Sequence, residues 1–143
     1  MNAAPHSERK PLGVLLIAGF YAFGAIVLLI GLFINPAEVS RVIAERHGLS
    51  PSFGITILPI VSALGLVIAY GLYTLSRWGF FVTILYLIYF GGASIALGGL
   101  NFVLTSQEAL QAYFGNLIWS VLVITYLVVV RRRFLSPKNV GQP

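Results

Sequence analysis

NPAEVSRVIAERHGLSP, residues 35–51, is an island of charge in a chain that carries almost none between its two ends. Its reading decides the fold, because it is either the start of a soluble domain or the rim of a membrane protein. Asn35 can cap a helix, Pro36 suits the first helical position, Glu38 falls three residues after the cap, and Gly48 can end the helix in a left-handed conformation. A three-turn helix over 36–47 follows. At about 100° per residue, Val39, Val42 and Ile43 share one face with Pro36, while Glu38, Arg41 and Glu45 take the other. Arg46 borders the apolar face and can snorkel towards lipid headgroups. The spacing therefore predicts an amphipathic interfacial helix, lying on the membrane or on the tops of other helices.

Composition places that helix in a membrane protein. The 143 residues are 58% hydrophobic and 9% charged, with a mean hydropathy of +0.92. Soluble chains have about 25% charged residues. A bilayer core about 30 Å thick needs roughly 20 apolar residues in a helix. Four stretches meet that length, about 12–34, 53–75, 79–100 and 113–130. The expected fold is an all-α, four-transmembrane-helix bundle forming one domain over 1–143, with the interfacial helix between spans 1 and 2. What lies outside the spans is too short for a second core.

The first span is too long for a signal-peptide core and has no convincing cleavage site, so it reads as an anchor. Pro59 falls in the first turns of the second span, where it kinks the helix or marks its true start. Ser76, Arg77 and Trp78 leave only a tight link between spans 2 and 3, which makes them an antiparallel hairpin. Thr105 and Glu108 offer a capping box that leads into the fourth span. The closing RRRFLSPKNVGQP reads as a frayed tail.

Lysine and arginine set the topology. Arg9, Lys10, Arg77, Arg131, Arg132, Arg133 and Lys138 fall on one side of a four-span arrangement, and Arg41 and Arg46 on the other. That bias puts both termini in the cytoplasm. Arg77, Arg131, Arg132 and Arg133 then serve topology or lipid headgroups, while nucleic acid is not an expected partner. The expected location is a prokaryotic inner membrane.

The expected spans contain no Asp, Glu, Lys, Arg or His. Proton relays, buried metal centres and histidine-ligated haem need such groups, so no catalytic, metal or cofactor residue is expected. The chain has no cysteine, which excludes disulfides and thiolate chemistry. Of its two histidines, His47 closes the loop helix, where it reads as structural or solvated. Tyr86 and Tyr89 lie deeper, where a hydroxyl could meet a lipid or quinone headgroup, though helix packing is the plainer reading. Asn116 is the side chain most costly to leave unpaired.

Small residues mark packing seams. Ser62, Gly65 and Ala69 follow an i, i+3, i+7 spacing on the second span, and Gly91, Ser94 and Gly98 repeat it on the third. The tight link predicts that the two seams face each other. The fourth span, VLVITYLVVV, is branched and bulky and reads as peripheral. PLGV opening the first helix, GLYTLSRWG closing the second and YLVVVRRRF closing the fourth resemble a loose group of small bacterial four-span membrane proteins. That group has no assigned activity, so the resemblance implies architecture only.

The function these features point to is a non-enzymatic structural or accessory protein that packs with itself or with a larger membrane complex. The alternative is a small transporter or channel for an uncharged or lipophilic solute, to which Pro59 and the glycine seams lend weight. An enzyme would need its site in the loop helix, where ordinary i, i+3 and i, i+4 pairing already accounts for Glu38, Arg41 and Glu45.

Overall fold

The computed structural model describes residues 10–47, 49–100 and 107–135. Every element among them is a helix: α1 (Leu12–Ile34), α2 (Pro36–Arg46), a single 3-10 turn (Pro51–Phe53), α3 (Gly54–Tyr73), α4 (Arg77–Leu100), α5 (Gln107–Val129) and the one-turn α6 (Arg132–Leu135). Three helices are long and apolar enough to cross a membrane, Leu12–Ile34, Gly54–Tyr73 and Arg77–Leu97. The apolar part of α5, Tyr113–Val129, is shorter.

The α3–α4 link has the expected three residues but lies two positions earlier than the sequence suggested. It is Thr74–Ser76, and Arg77 and Trp78 already belong to α4. Leu75 takes the left-handed conformation at φ 51°. The Ser76 amide bonds back to the Gly71 carbonyl at 3.0 Å and the Leu75 amide to Leu72 at 3.1 Å, the paired bonds of a Schellman close. Ser76 then caps the next helix by accepting from the Gly79 amide at 3.1 Å. One serine thus ends one helix and begins another.

The two small-residue seams do not face each other. A Cβ on Gly65 would sit 3.2 Å from the Ala25 Cβ and 3.5 Å from the Tyr21 carbonyl, so the α3 seam faces α1. A Cβ on Gly91 would meet Ser120 of α5 at 3.3 Å, so the α4 seam faces α5. The bundle is therefore two tightly packed pairs, α1 with α3 and α4 with α5. The hairpin joins the pairs at one end, where Gly71 and Gly79 bring their backbones together. A short link fixes that two helices are neighbours at the turn, not which faces they present along their length. Ser62, buried, and Ser94 bond to the carbonyls of Leu58 and Phe90 at 2.9 Å. Ala69 is buried on the α1 side, and the surroundings of Gly98 lie outside the described residues.

The hydrophobic core lies towards the end of the bundle that carries the hairpin. Val14, Ile17 and Ala18 of α1 pack there with Ile68 and Leu72 of α3, Phe80 and Leu87 of α4, and Val123 and Leu127 of α5. The chain after α5 is not frayed up to Leu135. Phe134 is buried under the bundle, its ring 5.4 Å from that of Phe80, and Arg77 donates to the Leu135 carbonyl at 3.1 Å. An arginine-rich end conceals one aromatic, and that aromatic turns the chain back. Arg131, Arg132 and Arg133 are exposed beside it. Lys10 sits 3.6 Å above the Tyr73 ring at the same end.

Pro59 lies inside α3, which continues through it. Asn35 does occupy the cap position of α2, but its side chain makes no capping bond. Glu38 bonds Arg41 at 2.7 Å, and Arg41 also bonds Glu45 at 3.1 Å. The exposed face of α2 is thus an ion-paired ladder. Thr105 and Gly48, given capping roles above, lie outside the described residues.

Candidate functional site

The buried face of α2 is Ser40, Ile43 and Ala44, with Val39 and Val42 half-buried, close to the face its pattern predicts. Gly54 of α3 lies so close to the Ser40 carbonyl that no side chain would fit, and Val39 packs on Gly31 of α1. These contacts hold the first half of α2 against the tops of α1 and α3. Its last residues do something the wheel could not show. His47 is buried among the aromatic rings of α4: Tyr86, Tyr89 and Phe90, at centroid distances of 6.4, 6.2 and 5.2 Å. Phe90 lies thirteen residues beyond Arg77, about 20 Å along α4 at ~1.5 Å per residue. The C-terminal end of α2 therefore dips into the bundle, and the helix is not a rim lying flat on it.

Two hydrogen bonds fix this insertion. His47 donates from Nδ1 to the Ile43 carbonyl at 2.8 Å, and Tyr89 donates its hydroxyl to the His47 carbonyl at 3.0 Å. Because a carbonyl can only accept, the neutral imidazole carries its proton on Nδ1, and Nε2 is left as an acceptor. The Tyr86 hydroxyl stands 3.5 Å from Nε2, at the outer limit of a hydrogen bond. Burial pushes the His47 pKa below its ordinary value. The bond to Ile43 opposes that shift, and the nearby Arg46 charge adds to it.

Above the core, between α2 and the other long helices, is a cavity of about 450 Å³. α1 contributes Phe20, Tyr21, Gly24 and Ala25, and α3 contributes Val61 and Gly65. Tyr86 and Phe90 come from α4, and Gly115, Asn116 and Trp119 from α5. Ile43, Arg46 and His47 close it from α2. A mostly apolar lining with a few convergent polar groups is the usual make-up of a small-molecule site, and the volume falls in the usual range of roughly 300–1,000 Å³.

The polar groups are unevenly satisfied. Asn116 has its amide nitrogen buried without a hydrogen-bond partner. Arg46 is exposed and, among the described residues, has no hydrogen bond or ion pair. Both acidic residues described on α2, Glu38 and Glu45, are taken by Arg41. No carboxylate is among the described residues that line the cavity.

Of the lining residues on the long helices, the exposed ones belong to α1 and α5, along the slot between these two helices. These helices meet nearer the hairpin end, where Gly13 lies against the Tyr126 ring and the Phe20 and Trp119 rings are 4.5 Å apart. The same antiparallel register brings Gly24 opposite Gly115. A Cβ on either would meet nothing within 4 Å. Phe20, Val27 and Gly115 are exposed around this slot.

Of the described residues singled out in the sequence for packing, only Gly65 borders the cavity, and none of the four headgroup arginines does. Sequence reading grouped Arg46 and His47 only with the charged residues of the loop helix, and missed that they meet Tyr86 and Asn116 at one cavity. It noticed the cost of Asn116 and the depth of Tyr86, which were the available signals.

All-helical architecture, three span-length apolar helices and a central cavity define an integral membrane protein of the helical-bundle class. No family model, no curated protein and no solved structure matches this sequence.

Proposed function

We propose that this chain is a non-enzymatic, four-span protein of a prokaryotic inner membrane, with both termini in the cytoplasm, that holds a small lipophilic molecule in its central cavity. The observation that carries this reading is the 450 Å³ cavity, whose exposed lining residues on the long helices, Phe20, Val27 and Gly115, belong to α1 and α5, along the slot between these two helices. In a bilayer that slot faces acyl chains, so a lipophilic molecule could pass sideways between lipid and cavity without crossing water. Crossing by α5 rests on Tyr113–Val129, at the short end of the roughly 17–25 residues a span requires. Topology rests on the lysine and arginine bias.

Binding is favoured over catalysis by the make-up of the lining. Among the described lining residues, no carboxylate and no serine or threonine hydroxyl stands beside His47, and His47 itself has Nδ1 committed to Ile43. The hydroxyl nearest its free Nε2 is that of Tyr86, and Tyr89 is committed to the His47 carbonyl, so acid–base chemistry would rest on His47 and Tyr86 alone.

A second reading has its own support. The outward face of α5 exposes Phe114, Ile118, Val121, Leu122 and Val129. A continuous apolar face of this kind suits a homo-oligomer or docking on a larger membrane complex, in an accessory role. One experiment separates the two: intact-mass measurement of the protein released from its native membrane in mild detergent. A retained small molecule that disappears in Gly115→Leu supports the cavity reading. A stoichiometric foreign subunit on an empty protein would replace it with the accessory one.

A further inference from the structure

The end of α2 is hydrogen-bonded to the rest of the bundle through one residue. Among the described residues, its only such bonds to another helix are those of Tyr86 and Tyr89 with His47. Arg46 before it is exposed, whereas His47 is only 6% exposed and forms part of the cavity wall. The chain thus passes from water to the cavity within one residue. This enclosure suits a neutral ring. Nδ1 donates to the Ile43 carbonyl, and a second proton on Nε2 would find only the Tyr86 hydroxyl, at the outer limit of 3.5 Å. α4 faces the imidazole with Tyr86, Tyr89 and Phe90. Of the other described cavity residues, α1 brings the titratable Tyr21, and α3 and α5 bring none. On α2 itself, Glu38 and Glu45 are held on the exposed face by Arg41, and Arg46 is a like charge. An imidazolium there would lose hydration without gaining a counter-ion, with water one residue away.

We propose, resting on the cavity reading above, that His47 is an acid-released latch on the cavity. Neutral, it holds the last turn of α2 against α4 and completes the wall. Protonated, it leaves the aromatic rings for water, and the cavity opens at the α2 end. Val39 on Gly31 and Ser40 against Gly54 keep the first half of α2 seated on α1 and α3, so the movement is confined to its last turn. The cavity then has two routes of exchange. The slot at Gly24 and Gly115 joins it to lipid, and acid on the side of α2 joins it to water.

The test exploits a chain without cysteine. Val61→Cys places a thiol in the cavity wall, Ser52→Cys an exposed one, and Thr83→Cys a buried one outside the cavity lining. Each full-length variant, in phosphatidylcholine nanodiscs, meets a membrane-impermeant methanethiosulfonate or a lipid-soluble maleimide at about pH 7.5 and about pH 5, on either side of the ordinary histidine value. Rates are divided by that of Ser52→Cys, which removes the shared fall in thiolate. With the impermeant reagent, the Val61→Cys ratio is expected to rise about tenfold from the higher pH to the lower, because a one-proton opening changes by up to about tenfold per pH unit. Adding His47→Gln should make the ratio independent of pH. The lipid-soluble reagent should label Val61→Cys at both values. Labelling by that reagent with no acid-dependent rise for the impermeant one would overturn the latch and leave the cavity reading standing. A rise that persists with His47→Gln, or that appears equally at Thr83→Cys as general unfolding would make it, would also overturn the latch. No labelling of Val61→Cys by the lipid-soluble reagent at either pH would overturn the cavity reading itself.

Discussion

Gly24 and Gly115 face one another across the slot between α1 and α5, in the register set by the Phe20–Trp119 ring contact. Each has open space where a side chain would stand, so both positions tolerate one sterically. Leucine at either should leave the fold intact. In a helix, leucine is favoured over glycine by up to about 1 kcal/mol, so thermal stability should hold or rise slightly. The side chain would occupy the slot and block the cavity. Gly115→Leu is therefore expected to fold normally by circular dichroism, and to lose quenching of Trp119 by a brominated single-chain amphiphile. Retained quenching would mean that the slot is not the way in.

The helices themselves were legible in the sequence because their information is local. Apolar run length, Pro36 and Ser76 place the helix ends within a few residues, and the charge ladder of α2 follows from i, i+3 and i, i+4 spacing. The site is not local. Gly24 and Gly115 become partners only through a register set by Gly13 with Tyr126 and Phe20 with Trp119. His47 read as structural or solvated because its neighbours on α2 are charged, and the three aromatics about forty residues further along that surround it could not be named. The α3 and α4 seams were visible, but a spacing of small residues records close approach without naming the partner. Phe134 shows the same limit, since three consecutive arginines before it made the segment look like a tail.

Tyr89 joins α4 to the inserted end of α2 through its bond to the His47 carbonyl. Tyr89→Phe removes that donor while keeping the ring that stacks on the imidazole. The expected loss is about 1 kcal/mol, the net contribution of one hydrogen bond, with more if the carbonyl finds no other partner. Unfolding in detergent measures it. Protease accessibility of the 47–53 segment should rise in parallel, because the bond's first effect is on seating α2. A variant as stable and as protected as the parent would mean that the rings alone hold His47.

The depressed His47 pKa makes the insertion sensitive to acid. The folded protein holds the imidazole neutral, while the released or unfolded segment titrates near the ordinary value of about 6.5. Above that value neither form binds a proton and stability is flat. As pH falls below it, the released form takes up a proton that the folded form resists, so stability falls until the depressed native value is reached. The slope cannot exceed about 1.4 kcal/mol per pH unit for one proton. Arg46, Tyr86 and Tyr89 are the other ionisable groups around the ring. None has an ordinary pKa between 5 and 8, so of the groups around the ring only His47 titrates in that window, and the His47→Gln variant separates it from His6 and the N-terminal amine. Unfolding between pH 8 and 5 should show it, and His47→Gln should abolish it. A slope that persists in His47→Gln would assign the dependence elsewhere.

The glycines of the bundle divide into those that hold helices together and those that leave space, and substitution should separate them. Gly79 meets the Gly71 backbone where α3 turns into α4, so a Cβ at either would enter the other's main chain. Backbone cannot step aside as a flexible side chain can, and the link of Thr74–Ser76 is too short to absorb the movement. Gly79→Ala should therefore cost about 1–3 kcal/mol, the usual range for overpacking. Gly19 of α1 has open space instead, and Gly19→Ala should gain a few tenths of a kcal/mol to about 1 from helix propensity alone. Gly91 is intermediate. Its Cβ would stand 3.3 Å from the Ser120 Cβ, so Gly91→Ala should fall between the two, according to how far α5 can yield. Thermal unfolding of the three variants in one detergent gives the order directly. Equal effects at Gly79 and Gly19 would mean that the hairpin does not hold the two helix pairs together through Gly71 and Gly79.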